Sequence, residues 1–542
     1  MKRSKFKGLI STALAVVMAS AVLSGCAGPG KSGSGKQAEE NSNFEFKKDH
    51  LEFSWYSDYN DVLANPWAVD SPTEKWIKEN FNVDINYIPA SGAAGQKLSV
   101  MLASDDLPDV IQVGDSQTIK KMEDSKLLQP LDDYMNKYTN LRDTLGEKIL
   151  NMLRASDGHI YRIPNWANYA GKPNGNTCWL VNEKVYKDLG EPALETFDDL
   201  YNFLKKVKTT YPDMIPLECN GQLEKYMYCG FKEEANVDDI VRFTTRKGNE
   251  LESLFKQDEY KKGMLLINKF YREGLLAKDI MARTSDQLEE RIRAGRIAVM
   301  AADTTIGEKT RDDMIKYAKS DWKVIWPIHE KGLDGRKIML NEFSSIGFNS
   351  NMITKNAKNP EGAFAYLDWL WSPEGQAVYN YGPRGMYWDE LNENTYPILK
   401  PEYFEKSTAE IAKELTGSGS GCRLGNTSWV DGCAKYVYDL TPEKNRSWTK
   451  TQQFNIVWNT SKKADEYTDV IPNSNSDEGV TYQSIADAKS EAVAKIMYAE
   501  SEAEASANFD ALVAESDRLG MDNLRKYMAD KMNENLKKLG EE

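Results

Sequence analysis

Imidazole and thiol chemistry have little to work with in this chain. Three histidines, His50, His159 and His329, occur in 542 residues, thin material for a metal or nucleophile site. Neither C-x-x-C nor H-E-x-x-H is present, so a zinc site has no support, and no catalytic residue, metal or cofactor is expected. Flat rings are plentiful instead, with 13 Trp and 27 Tyr. Rings stack on molecules that have apolar faces, while nearby Asp, Asn or Arg side chains bond hydroxyl edges. Such neighbours occur where alternating segments end: Trp55-Tyr56-Ser57-Asp58-Tyr59 closes one, and Asp115-Ser116 closes another. Asp58, Tyr59 and Asp115 are therefore candidate ligand contacts. Helix capping is the competing use of Asp and Ser at such positions.

The elements that position these residues follow from periodicity. Residues 51–56 alternate as a strand, and Ser71-Pro72-Thr73-Glu74 is a capping box with Pro at the first helical position, starting a helix to about Phe81. Val83, Ile85 and Tyr87 alternate as a second strand, Leu98, Met101 and Leu102 mark one helix face, and 109–113 is a third strand. This β-α-β-α-β order predicts a sheet covered by helices on both faces, with ligands bound outside the carboxyl ends of its strands. A second α/β stretch has strand 179–182, a helix begun by Thr196 and Asp199, strand 214–217, helix 287–294 and strand 297–301 after Gly295. The chain thus reads as two α/β lobes. Later segments are mixed, with helix 360–371, a restart at Ser372-Pro373-Glu374, and helix from 484 onward. Residues 417–421 (GSGSG) read as an exposed loop.

Length and composition narrow the class. A chain of 542 residues is too long for one core, and 41% hydrophobic with 28% charged residues excludes disordered, collagen-like and polytopic membrane chains. With 69 Lys+Arg against 83 Asp+Glu, the net charge of −14 argues against a nucleic-acid partner. Lys2, Arg3, Lys5 and Lys7 precede an apolar run over 9–23, and small Ser24 and Gly25 precede Cys26, so 1–25 reads as an export signal peptide. Leu23-Ser24-Gly25-Cys26 resembles the lipobox of bacterial lipoproteins, which implies cleavage before Cys26 and attachment of a diacylglyceryl thioether, typically carrying palmitate, to its sulfur. Loss of the leader's four basic residues takes the net charge from −14 to −18. The lipid, not the charge, must then hold the protein on an anionic membrane surface. Residues 26–43 carry that anchor and a polar, Gly-rich tether, with a coil reach of roughly 20–25 Å. Gly25 to Ser32 also fits the phosphate-loop spacing, but no strand precedes it and no helix N-terminus follows, so nucleotide binding is rejected. Outside the membrane the spacings Cys219/Cys229 and Cys422/Cys433 could each close a short disulfide loop, and Cys178 reads as a buried thiol.

Seven short segments then carry a resemblance over nearly the whole mature chain. They are Leu107-Pro108-Asp109-Val110-Ile111, Gly158-His159-Ile160-Tyr161-Arg162-Ile163-Pro164, Leu180-Val181-Asn182-Glu183, Thr196-Phe197-Asp198-Asp199-Leu200, Gly295-Arg296-Ile297-Ala298-Val299-Met300, the 367–375 stretch LDWLWSPEG, and Tyr381-Gly382-Pro383-Arg384-Gly385. In this order they resemble the extracellular solute-binding lipoproteins of carbohydrate ABC importers, especially the large oligosaccharide-binding subgroup of Gram-positive bacteria. The resemblance implies a two-lobed, periplasmic-binding-protein-like α/β fold of class II, with a multi-strand hinge and ligand in the cleft. The expected partition is 44–164 with about 346–400 in the N-terminal lobe, and 165–345 with about 401–542 in the C-terminal lobe. The 211–217 stretch (YPDMIPL) lacks the D-x-N-x-N-G-like loop of many such proteins, so calcium is not expected.

The resemblance also implies cleft positions. Asn165, Trp166 and Tyr169 follow the Ile163-Pro164 crossing; Trp179 lies one strand further on, where a core role competes. Glu218 and Asn220 follow one buried-looking strand, and Asp303 and Thr304 follow another. Arg384 and Trp388 flank a Gly-Pro turn, where Arg384 could meet an acidic sugar or simply a surface carboxylate. Tyr482 enters from the family layout. The expected protein is a monomeric, lipid-anchored receptor on the outer face of the cytoplasmic membrane, passing an oligosaccharide to an ABC permease. Competing expectations are a surface polysaccharide-degrading enzyme, glycosidase or lyase, and a peptide-binding or sensory receptor on the same fold.

Overall fold

The structure is a computed structural model that describes residues 44–541 except 60–62, 64, 172, 174, 348 and 416–424. The leader, Cys26 and its tether, Cys422 and the 417–421 loop lie outside the described residues.

The alternating apolar residues of the first stretch form β1 (Leu51–Ser57), β2 (Val83–Ile88) and β3 (Val110–Val113), with β1 parallel to both others. The Pro72–Phe81 helix links the first two; Ser71 caps it by accepting the Glu74 N–H, and Asn82 ends it in the left-handed region at φ 55°. The chain then reaches β4 (Arg162–Asn165) and passes to β5 (Thr177–Asn182) and β6 (Ile215–Cys219). A hairpin of β7 (Thr244–Lys247) and β8 (Glu250–Ser253) precedes β9 (Ile297–Asp303), β10 (Trp322–Ile325), β11 (Asn341–Phe343) and β12 (Asn349–Ile353).

Two of the sheets are large, one for each lobe. The first has the order β2-β1-β3-β12-β4 and the second β10-β5-β9-β6. Neither is wholly parallel. The chain leaves the first lobe along β4 and returns along β12, so β12 runs antiparallel to both β3 and β4. In the second sheet β5 opposes β9 and β10 while β6 and β9 are parallel. Trp55, Phe364, Tyr366 and Trp371 anchor the first core, and Phe203, Met227, Phe270 and Val299 the second. The helix expected at Thr196 begins with a full capping box to Asp199.

One expectation needs correction, and one alternative that the sequence left open is closed. Residues from 401 on do not pack wholly in the second lobe: Leu415, Trp429, Cys433 and Val437 are buried in the first core. The chain changes sides after the Thr427–Leu440 helix, so that Val457 packs beside Leu180 and Trp322, and Leu539 returns to the first core at the other end. The physical reason is the apolar face of the Thr427–Leu440 helix, which completes the cover over the Pro373–Tyr381 helix. Cysteines 219 and 229 are also not joined. Both are free and fully buried, one ending β6 and the other on the Leu223–Phe231 helix, where each fills a core position. Cys178 and Cys433 are free and buried too, and the Cys433 thiol donates to the Tyr381 hydroxyl at 3.3 Å.

Candidate functional site

Where the chain crosses between lobes, distant segments lie side by side. Asn341 binds one crossing to another: its Oδ1 accepts the N–H groups of Asn176 (3.1 Å) and Thr177 (2.8 Å), and its Nδ2 donates to the Thr177 carbonyl (3.1 Å). β11 pairs in parallel with Ser461–Lys463, and Asp465 accepts the Ser345 N–H at 2.6 Å. Asn168 accepts the Ser428 hydroxyl at 3.1 Å, so the first crossing is also fixed to the Thr427–Leu440 helix.

A cavity of about 680 Å³ opens on these crossings. Gly114, Trp166 and Asn349 line it from the first lobe, Asn176, Arg242 and Thr305 from the second, and Glu342, Gln453, Trp458 and Asp469 from the segments between. The size suits a small-molecule or short-chain ligand.

Trp166 reaches its place through an unfavourable backbone. Its φ is 60°, a region that bulky residues rarely adopt and that tends to persist where surrounding structure enforces it. Asn165 Oδ1 accepts the Trp166 N–H at 3.0 Å, and the next N–H, of Ala167, donates to the Gly425 carbonyl at 2.9 Å. Gly347 packs so closely on this bend that a Cβ there would stand 1.8 Å from the Asn165 carbonyl oxygen. Gly114 serves similarly, since a Cβ would meet the Tyr59 hydroxyl at 2.3 Å.

Two ion clusters, one buried around Arg242 and one open to solvent at Asp469, set the charge of the walls. Arg242 grips Glu342 through both Nη atoms (2.9 and 3.2 Å), reaches Asp239 at 3.2 Å, and lies 3.8 Å above the Tyr467 ring. Burial pushes Glu342 up to about 7 despite Arg242, with Asp238 adding to the rise. For Arg242 burial acts downward, but Glu342 and Asp239 outweigh it and hold the guanidinium charged. Arg162 lies 2.9 Å from Asp469 and 3.6 Å from Glu123; burial raises Glu123 although Arg162 opposes it. Both cavity arginines are thus committed to protein carboxylates.

Several uncharged groups are not so committed. Asn349 Oδ1, Gln453 Oε1 and Trp458 Nε1 are buried with no hydrogen-bond partner among the described residues. A polar atom left this way costs free energy until a partner arrives.

The sequence candidates divide clearly. Trp166 is on the cavity wall, with Asn165 buried behind it. Tyr59 packs against Gly114, and its hydroxyl accepts from Asn349 Nδ2 at 3.4 Å. Asp58 accepts the Gly114 N–H at 2.9 Å, and burial raises its carboxyl, with Asp115 contributing. Asp115 and Asp303 are helix caps: one accepts from the Thr118 N–H (2.8 Å), the other from the Ile306 N–H (2.9 Å). Tyr169 packs on the first core and its hydroxyl is bonded to Asn426. Asn220 follows β6, where its N–H donates to the Ala301 carbonyl, away from the cavity lining.

Four others are corrected outright. Trp179 is fully buried, edge-on to Tyr226 at 5.5 Å, because the middle of β5 is covered on both faces. Trp388 is fully buried and donates to the Gly382 carbonyl at 2.8 Å. Arg384 lies at the surface, 3.7 Å from Glu374 and 5.4 Å over Trp388, as a surface ion pair. Tyr482 stacks on Phe243 at 5.0 Å and donates to the Val241 carbonyl, which fixes a helix to the second core. Glu218 is also withdrawn, held by Arg283 (3.1 Å) and Arg291 (3.3 Å). Three lining residues carry no sequence motif, Asn349 at the start of β12 and Gln453 and Trp458 in a crossing segment, and only folding brings them together.

Among the described residues no group of His, Cys, Asp or Glu is placed to hold a metal ion, and no helix is long and apolar enough to cross a membrane.

Comparison with known proteins agrees with this architecture. Lipoprotein LipO of Bacillus subtilis is 24% identical over 371 residues, covering 65% of this chain and 68% of that protein. The polygalacturonan/rhamnogalacturonan-binding protein YtcQ of the same organism is 21% identical over 390 residues, covering 69% and 73%. Among solved structures, the alginate-binding protein AlgQ2 without calcium ion superposes with a TM-score of 0.62 at 15% identity, over 90% of this chain and 98% of that one. That likeness establishes a shared two-lobed α/β fold. The family described as bacterial extracellular solute-binding protein matches residues 66–377, more than half of the chain, and with a cavity between two hinged lobes and polar groups awaiting partners, this protein belongs to that family of binding proteins.

Proposed function

We propose that the chain is a lipid-anchored extracellular receptor that captures an oligosaccharide between its lobes and passes it, unaltered, to an ABC permease. The observation that carries this reading is the set of unpartnered polar atoms on residues lining the interlobe cavity, Asn349 Oδ1, Gln453 Oε1 and Trp458 Nε1, beside two indole rings. Indoles suit the apolar face of a pyranose, and amide and indole groups suit its hydroxyls. The polygalacturonan/rhamnogalacturonan-binding and alginate-binding names of YtcQ and AlgQ2 support a sugar as the ligand. The lipobox-like Leu23-Ser24-Gly25-Cys26 supports anchoring through Cys26 at the outer membrane face, and the likeness to LipO agrees.

Mechanistically, a ligand touching both lobes favours the closed form by as much as it binds that form better than the open one; a ligand touching one lobe shifts nothing. Trp166 and Asn349 would act from the first lobe, Gln453 and Trp458 from the crossing side. The test is a panel of neutral and acidic oligosaccharides and peptides read by thermal shift, small-angle scattering and mass analysis. At least one glycan should raise the melting temperature, compact the protein and be recovered intact, and Trp458→Ala should weaken it at least tenfold. A panel without any shift, or shortened products, overturns the proposal.

A further inference from the structure

A second cavity, of about 230 Å³, lies beside the first, among the Pro373–Tyr381, Pro401–Glu405, Thr408–Glu414 and Thr427–Leu440 helices and the 445–450 turn. Lys450 borders both cavities. The space is below that of typical drug-sized pockets, which limits it to about one ring. Its composition departs from the acidic balance of the chain: among the described residues three cations, Lys406, Arg446 and Lys450, line it, and no carboxylate does.

The cations differ in what they already hold. Lys406 is paired with Glu414 at 2.6 Å, and Lys450 lies 3.9 Å from Asp431. Arg446 has no carboxylate within ion-pair distance among the described residues; its Nε donates to the Thr441 carbonyl at 3.0 Å and its guanidinium lies 4.5 Å over the Tyr438 ring. A guanidinium held by one edge keeps its remaining N–H fork for a carboxylate. Half-buried Tyr403 and Phe404, 5.6 Å apart and nearly perpendicular, present aromatic faces to the same space. Asn380 and Asn445 each use the amide NH₂ on a backbone carbonyl, of Gln376 and Phe404 respectively (both 2.8 Å). Their side-chain oxygens are left to accept from hydroxyls.

The geometry points to a binding site for a single carboxylated pyranose, a hexuronate unit, with its carboxylate on Arg446, its ring face on Phe404 or Tyr403, and its hydroxyls on Asn380 and Asn445. An aromatic acid would use the rings and Arg446 but leave both amide oxygens idle. The site is separate from the interlobe cavity and rests on the proposed function only in taking the ligand to be a sugar.

The experiment titrates the purified protein with galacturonate, and with galactose as the uncharged control, by calorimetry. Wild type should bind galacturonate and not galactose, Arg446→Met should weaken galacturonate at least tenfold, and Trp458→Ala should leave it within twofold. Because a variant can fail to fold, a second measurement uses wild type alone: saturation transfer from aromatic protons to galacturonate, displaced by excess glucuronate but not by galactose. Absence of galacturonate binding, equal binding by Arg446→Met, or displacement by galactose overturns the proposal. Loss of galacturonate binding in Trp458→Ala with retention in Arg446→Met would place the acid in the interlobe cavity and overturn it as well. A glycan panel that fails while galacturonate still depends on Arg446 would refute the interlobe reading and leave this one standing.

Discussion

Glu342 should make the stability of the protein fall as pH rises through neutrality. Its carboxyl is buried at the crossing strand β11, 2.9 Å from Arg242, and burial outweighs that pairing to push it up to about 7 from 4.5. In the unfolded chain the group ionises near 4.5, so between there and about 7 the folded state binds more protons. Raising pH over that window therefore favours unfolding. The contribution is fully present below 4.5 and is lost as pH passes about 7. Its ceiling is about 3 kcal/mol, since one pKa unit corresponds to about 1.4 kcal/mol. The comparison is wild type against Glu342→Gln, which cannot ionise. Relative to the variant, wild type should lose up to about 3 kcal/mol between pH 4.5 and 8. For a chain of this size that is about 3 to 6 °C in melting temperature. Differential scanning calorimetry across the range reads it directly. A gap that stays constant, or one in which wild type gains on the variant with rising pH, would refute the reasoning, because attraction to Arg242 would then outweigh burial.

Asn341→Ala removes the acceptor of the Asn176 and Thr177 N–H groups and should destabilise the protein by about 2 kcal/mol, the low end of about 1–3 kcal/mol for each of two donors, because both are only part-buried; a denaturation midpoint equal to wild type would show that water replaces the side chain. Cys178, Cys219, Cys229 and Cys433 should resist a thiol reagent in the native protein and react on unfolding, because all four are free and buried, and burial raises each thiol above its ordinary range. Rapid native labelling of Cys219 or Cys229, read by mass spectrometry, would contradict that. Arg384→Ala should leave glycan affinity within twofold, since Arg384 is exposed and paired only loosely with Glu374; a tenfold loss would return it to the binding site.

The lobes are legible because each β-α-β step satisfies local rules that sequence displays: alternation in 51–56, the Ser71 and Thr196 caps, and the apolar run 297–302 of β9. The site was less so, and the errors have one source. A residue ending a strand and preceding a helix can meet a ligand or cap the helix, and Asp115 and Asp303 have the same surroundings in sequence under either use. Aromatic residues have the same double use: Trp388, beside a turn, and Trp179, within β5, are large apolar groups first, and each is buried where its own element is covered. What separates them from Trp166 is the path of the chain. Trp166 lies in a crossing, where neither sheet can cover it. The return of the Thr427–Leu440 helix to the first lobe escaped notice because its apolar face would fit either core.

The crossing segments explain why a guest could control both lobes. β11 is three residues long, yet Asn341 bonds the 176–177 backbone, Glu342 holds Arg242 of the second lobe, and the strand as a whole pairs with Ser461–Lys463. Arg162, on the last first-lobe strand before the crossing, holds Asp469 from the segment beyond that pairing. Gln117, on the helix after β3, donates to the Pro472 carbonyl (2.9 Å) and accepts the Ser474 N–H (2.7 Å). Among the described residues each of these crossings is bonded to another through a side chain or a strand pair. Rotation of one lobe must therefore move these segments together, and Trp458, Gln453 and Glu342 on the cavity wall move with them. On the proposed function, a ligand that supplies partners to Gln453 and Trp458 would act on the bundle of crossings itself, coupling binding to lobe position at the hinge as well as across the cleft.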